Sequence, residues 1–179
     1  MYILASQSPR RKELLSKVIS DFVIIPADIN EDIEVDDPFE LPTKLSCLKA
    51  AEIFKDYPND TIIAADTIVI LNNKILGKPK TREEAFNMLK ELSSNEHYVA
   101  TGYTIISKDK CITKLVTTKV YFNHLDDDLI NKYIDSGSPF DKAGGYGIQD
   151  LEFKLVEKIE GSYTNVIGLP IEDLINDLI

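Results

Sequence analysis

Leu4-Ala5-Ser6-Gln7-Ser8-Pro9-Arg10-Arg11-Lys12-Glu13-Leu14-Leu15 passes from an apolar strand, Met1 to Ala5, through a polar turn into a helix. Ser8 is placed to cap that helix, and Pro9 fits its first position. The helix start offers backbone N–H groups and a positive dipole end. Arg10 and Arg11 add two forked cations at the same spot. Such a place suits an anion with several oxygens, and phosphate is the first candidate. A strand running straight into a helix also opens an α/β chain.

The rest of the chain is acidic. Its 179 residues are 44% hydrophobic and 28% charged, and 30 acids against 20 bases give a net charge of -10. That length suits one packed domain spanning residues 1–179. The charge argues against duplex nucleic acid as the main partner, since such binders show a basic surface. A small anionic substrate remains compatible, because local cations outweigh a distant, screened acidic surface. The acidic background also helps attract a divalent cation. The first residues lack the basic leader of a signal peptide, and no segment has the roughly 18 apolar residues of a membrane span. Cys47 and Cys111 lie far apart and form no metal or disulfide pattern. A reducing, cytoplasmic location is expected. His97 and His124 are too few for a His-rich metal site and are read as structural or exposed.

Patterning extends the α/β reading along the chain. Phe22 to Pro26 reads as a strand, Asp28 to Asp37 as an acidic loop and Leu41 to Phe54 as a helix. Thr61 to Leu71 is a β-branched strand, turned by Asn72-Asn73 into Lys74-Ile75-Leu76. Thr81 and Glu84 form a capping box for a helix that buries Ala85, Met88, Leu89 and Leu92. His97 to Ser107 and Cys111 to Phe122 read as adjacent antiparallel strands, and Asp126 caps a helix through Ile134. Phe153 to Ile159 is expected as a strand, and Pro170 opens a last helix. The fold class is α/β with a mixed sheet.

Few residues can carry chemistry. Asp66 stands alone in Ile62-Ile63-Ala64-Ala65-Asp66-Thr67-Ile68-Val69-Ile70, where a carboxylate is costly to bury without a partner. It is either a bulge residue bonded to backbone or a general base or metal ligand. Alternation puts Asp66 with Ala64 and Ile68, and sends the Thr67 hydroxyl the other way. Gly77-Lys78-Pro79 holds a lysine at a loop tip. In Lys142-Ala143-Gly144-Gly145-Tyr146-Gly147-Ile148-Gln149 the glycines let backbone approach a ligand, and their N–H groups can bind oxygens. Gln149 offers both donor and acceptor, which suits a base edge. Without a ligand the same run is a glycine-rich turn. Glu31 and Lys49, read alone, are surface residues.

These pieces, with Gly161-Ser162-Tyr163-Thr164-Asn165-Val166-Ile167-Gly168-Leu169-Pro170, resemble the Maf family of nucleoside triphosphate pyrophosphatases in content and order. The resemblance implies hydrolysis of a nucleoside triphosphate to monophosphate and pyrophosphate with Mg²⁺ or Mn²⁺. It implies a mixed, twisted sheet flanked by helices, with two lobes and a central cleft of the Maf and ITPase-like kind. A homodimer is common in the family. It gives Asp66 the role of proton acceptor and, with Glu31, of metal ligand. Ser8, Arg11, Lys49 and Lys78 fall on the phosphate side. Arg10, Thr67 and Gln149 match the branch acting on dTTP and UTP rather than the branch acting on 7-methyl-GTP. Two departures stand out: Ser138 replaces an acidic residue before the proline, and Asp150 replaces the glycine after Gln149; Leu92-Ser93-Ser94-Asn95 also lacks the usual glycine. The alternatives are a phosphatase releasing single phosphates, and a nucleotide-binding regulator of cell division without turnover.

Overall fold

The computed structural model describes residues 1–179. Strand β1 (Tyr2–Leu4) pairs in parallel with β2 (Phe22–Ile24) on one side and with β3 (Thr61–Leu71) on the other. Leu4 stands opposite Ile24 and Ile63. The full sheet has seven strands in the order β2-β1-β3-β5-β6-β7, with β4 (Lys74–Leu76) on β3. β5 (Glu96–Ser107) and β6 (Lys110–Phe122) are joined by a two-residue turn and so run antiparallel. β7 (Val156–Glu160) pairs antiparallel with β6. Helices α1 (Pro9–Ser16), α2 (Leu41–Asp56), α3 (Arg82–Leu92), α4 (Asp127–Asp135), α5 (Tyr163–Ile167) and α6 (Ile171–Leu178) complete the chain. None is long and apolar enough to cross a membrane.

The chain divides into two compact units. One comprises Met1–Thr67, Ala100–Val116 and Thr164–Ile179; the other comprises Ile68–Val99 and Thr117–Tyr163. In the first unit, alternation along β1 and β3 sorts the core into two layers. Leu4, Ile63 and Ala65 pack with Leu14 and Leu15 of α1 and Leu174 of α6. Ile3, Ala5, Ile62 and Ala64 pack with Ala50 and Ile53 of α2. Helices on both faces explain why these strands are continuous apolar runs. Each fully buried Ile or Leu contributes about 1.5–3 kcal/mol to that sandwich.

The second unit has its own buried core, with Leu76, Leu89, Leu92, Val120 and Ile130 among its members, and caps, turns and surface ion pairs order its elements. Asn72 and Asn73 both adopt positive φ, 49° and 63°, which makes the tight β3–β4 turn. Thr81 caps α3 by accepting Glu84 N–H at 3.1 Å. The return bond of the expected capping box goes one residue back, from Lys80 N–H to Glu84 Oε2. Arg82 to Asp135 at 2.6 Å and Lys90 to Asp127 at 2.8 Å tie α3 to α4. His97, Phe122 and Tyr146 meet edge to face, with His97 Nε2 2.6 Å from the Tyr146 hydroxyl.

Some expectations needed correction. The strand expected over Phe153–Ile159 begins only at Val156, because Leu151–Phe153 is a 3-10 turn and Lys154 takes a left-handed φ of 50°. Met88 is half-buried, unlike Ala85, Leu89 and Leu92. Helix α5, inside the Gly161–Pro170 motif, had no periodic signal at five residues.

Candidate active site

Asp66 sits on the face of β3 that continues Ile62 and Ala64, the face covered by α2. Lys49 of α2 lies one residue before core Ala50 and therefore meets it. Lys49 Nζ donates to Asp66 Oδ1 at 2.8 Å and lies 2.8 Å from Glu31 Oε1. Lys49 and Asp66 are each 8% exposed, whereas Glu31 is exposed on the irregular acidic stretch. A lysine is buried this deeply only when carboxylates compensate its lost hydration. This decides the open reading of Asp66: it is an ion-paired strand residue, not one bonded to backbone at a bulge. Three residues read separately in the sequence thus form one cluster.

Thr67 faces the opposite layer and meets α1. Arg11 Nη2 donates to Thr67 Oγ1 at 3.0 Å, Nε to Gly168 O at 2.8 Å and Nη1 to Ser6 Oγ at 3.3 Å. Three bonds leave two of the guanidinium's five donors for a ligand. Burial lowers the Arg11 pKa, Asp66 and Glu31 oppose that fall, and Arg10 adds to it. Gly168 holds the carbonyl that meets the guanidinium at a φ of 130°, a conformation that favours glycine. The Thr67 hydroxyl also meets Thr101 Oγ1 at 2.8 Å and Gly168 O at 3.3 Å, so it braces Arg11 within the protein. Ser6, Thr101 and Gly168 were missed as site residues. Ser6 and Gly168 lay inside quoted motifs; Thr101 carried no signal.

Two sequence expectations change. At the start of α1, Pro9 has no N–H, Arg11 N–H is taken by Ser8 Oγ at 3.4 Å and Lys12 N–H by Ser8 O at 3.1 Å. Any anion there would meet side chains more than backbone, and Ser8 retains only its hydroxyl proton to offer. The glycine-rich run is likewise not an open cradle. Gly144 N–H is taken by Gly77 O, Gly145 N–H by Lys142 O and Gly147 N–H by the Tyr133 hydroxyl. Lys142 is spent on Asp141 and Ser138. The run is a scaffold: Gly144 has φ 73°, and a Cβ there would come within 2.8 Å of Val69 Cγ2. It packs on the Gly77-Lys78-Pro79 loop and presents exposed Lys78 and exposed Gln149, all within the second unit.

Glu31 and Asp66 converge on a single ammonium, so both carboxylates address one small volume. No group of three or more His, Cys, Asp or Glu side chains is assembled to hold a metal alone. Two carboxylates fit Mg²⁺, which commonly takes one or two such ligands and completes its shell with water and phosphate oxygens.

The family model described as Maf-like protein matches residues 1–179. The chain is 56% identical over 170 residues to a dTTP/UTP pyrophosphatase of Pyrococcus furiosus, covering 94% of this chain and 89% of that one. It is 54% identical over 169 residues to a dTTP/UTP pyrophosphatase of Thermosipho africanus, covering 94% and 87%. A dTTP/UTP pyrophosphatase of Carboxydothermus hydrogenoformans is 48% identical over 179 residues, covering 98% and 95%. The structure of the Staphylococcus aureus Ham1 protein aligns with 68% of this chain and 70% of that chain, at TM-score 0.43 and 18% identity.

Proposed function

The chain belongs to the Maf family, and on that premise we propose that it hydrolyses dTTP and UTP to the monophosphate and pyrophosphate. The Asp66–Lys49–Glu31 cluster carries this reading: a buried carboxylate and ammonium, joined by one exposed carboxylate, set a candidate base beside a cation at positions the resemblance also singles out. Lys49 holds Asp66 Oδ1 and leaves Oδ2 to accept a proton from water. That water attacks the α-phosphorus in line. A new P–O bond forms, the bond to the bridging oxygen breaks, and the proton passes to Asp66. Arg11, Lys49 and Lys78 are assigned the negative charge gathered on departing pyrophosphate. The work is positioning and electrostatics rather than covalent catalysis.

Asp66 and Glu31 would hold the divalent cation, which when bound supplies charge neutralisation at the phosphate oxygens. Lys49 already supplies one positive charge beside those carboxylates. Arg10 and Gln149 are assigned the pyrimidine edge, and Thr67 acts through Arg11. A site that hydrogen-bonds the base rejects analogues lacking the partner.

Incubation with dTTP, UTP, CTP and 7-methyl-GTP at matched metal, with product identification, tests the reading. Pyrophosphate from dTTP and UTP is expected. Orthophosphate alone would instead mark a phosphatase, tight binding without turnover a regulator, and preference for 7-methyl-GTP the other branch.

A further inference from the structure

Ile148 and Gln149 are the central residues of a tight turn closed by Asp150 N–H donating to Gly147 O at 3.1 Å. Ile148 is buried and Gln149 exposed, so the turn anchors one side chain and presents the next. Both ends of the turn meet a single hydroxyl. The Tyr133 oxygen accepts Gly147 N–H at 2.9 Å, and its proton goes to Asp150 Oδ2 at 2.6 Å. Ser138 Oγ donates to the same Oδ2 at 2.5 Å, and Lys142 Nζ donates to Ser138 Oγ at 3.0 Å. Tyr133 is 0% exposed on α4 and its ring packs on Phe153, 4.9 Å between centroids. A Cβ on Gly147 would lie 2.8 Å from Lys142 Cε and 3.0 Å from Asp150 Oδ2, so a side chain there would displace members of this network. The two departures from the family pattern, Ser138 and Asp150, are thus bonded to each other.

We propose that Tyr133 and Asp150 are positioning residues for Gln149, fixing through the Gly147–Asp150 turn the amide that discriminates among pyrimidine bases. The proposal rests on the role given to Gln149 above. A glutamine amide can offer a base edge either its oxygen or its nitrogen. Selectivity therefore requires that the backbone carrying the amide be held at a fixed place, so that the amide meets one base edge at hydrogen-bonding distance. The run from Gly147 N–H through the Tyr133 hydroxyl to the Asp150 carboxylate is directional, each bond polarising the next. Loosening it lets the turn rock and carries the Gln149 amide out of register with the base edge it pairs with. The loss then falls on discrimination rather than on turnover.

The test compares full-length wild type, Gln149→Ala, Asp150→Ala, Asp150→Asn, Tyr133→Phe and the Gln149→Ala/Asp150→Ala double variant, with UTP and CTP. Asp150→Ala and Tyr133→Phe should each lower the UTP-to-CTP ratio of kcat/KM by about tenfold. The change should lie in KM, with kcat for UTP held within about threefold. The double variant should lose no more discrimination than Gln149→Ala alone. Asp150→Asn, which keeps an oxygen acceptor, should recover most of the ratio. Amide exchange at Gly147 should quicken in Tyr133→Phe, a readout independent of turnover. Additive losses, an unaltered ratio or a fall confined to kcat would each overturn the proposal. Wild type that releases no pyrophosphate from either nucleotide would overturn the functional reading instead. Exchange at Gly147 then decides the clamp alone, and an unaltered rate there would sink it.

Discussion

Asp66 gives Oδ1 to the Lys49 ammonium, and the proposed reaction assigns its carboxylate the proton of the attacking water. Asp66→Asn keeps the shape and loses the base, so pyrophosphate release should fall by about 10²–10⁴-fold while calorimetry still shows nucleotide binding. Near-normal turnover would contradict the assignment. Arg10 and Arg11 are neighbours to which the proposed function gives different duties. Arg11→Ala removes a charged donor from each of Ser6 Oγ, Thr67 Oγ1 and Gly168 O, leaving them only their neutral partners. It should lower both turnover and stability, the latter by about 1–3 kcal/mol. Arg10→Ala should chiefly alter preference among UTP, dTTP and CTP, and equal effects of the two changes on every substrate would argue against the division. His97 sets a stability limit in acid. Burial lowers its pKa to about 4, against about 6.5 in an unfolded chain. Between those values the unfolded state binds the extra proton, so stability rises with pH and is lost as pH falls from about 6.5 towards 4. Thermal melts across this range should decline in wild type and flatten in His97→Phe, with a difference of about 3 kcal/mol at full effect.

Helix α2 delivers Lys49, and its seat depends on one glycine. A Cβ on Gly102 of β5 would lie 2.3 Å from Pro42 C and 2.4 Å from Thr43 N, backbone atoms in the first turn of α2. Gly102→Ala should therefore push α2 outward, lowering stability by about 1–3 kcal/mol and kcat with it. Thr81→Ala removes the α3 cap, lowering stability by about 1 kcal/mol with kcat retained. Melting temperature and turnover measured together separate the two. At this scale the sequence was legible where signals are local. Ser8, Thr81 and Asp126 cap the helices expected of them, and Asn72-Asn73 turns the expected hairpin. The faces of α2 were less legible: Leu48 is 45% exposed whereas Lys49 is buried. Hydrophobicity alone ranks those two the other way, and only the carboxylates facing Lys49 reverse the order.

The two units share three strands, because the chain changes unit within β3, between Thr67 and Ile68, within β5, between Val99 and Ala100, and within β6, between Val116 and Thr117. Neither unit is a contiguous piece of chain that could melt while the strands of the other persist. Unfolding should be one transition, with far-ultraviolet circular dichroism and the fluorescence of the eight tyrosines coinciding. Two separated midpoints would contradict that. The sequence by itself determined the strands, caps and turns, and the opposed faces of Asp66 and Thr67. Those follow from backbone periodicity and from residues a few positions apart. Tertiary structure alone decided which groups meet: Lys49 with Glu31 and Asp66, Arg11 with Gly168 across 157 residues, and Tyr133 with both ends of the Gln149 turn. It also decided that the glycine N–H groups face inward. A hydrogen-bonding group carries no local mark of its partner, because that partner is set by how layers pack.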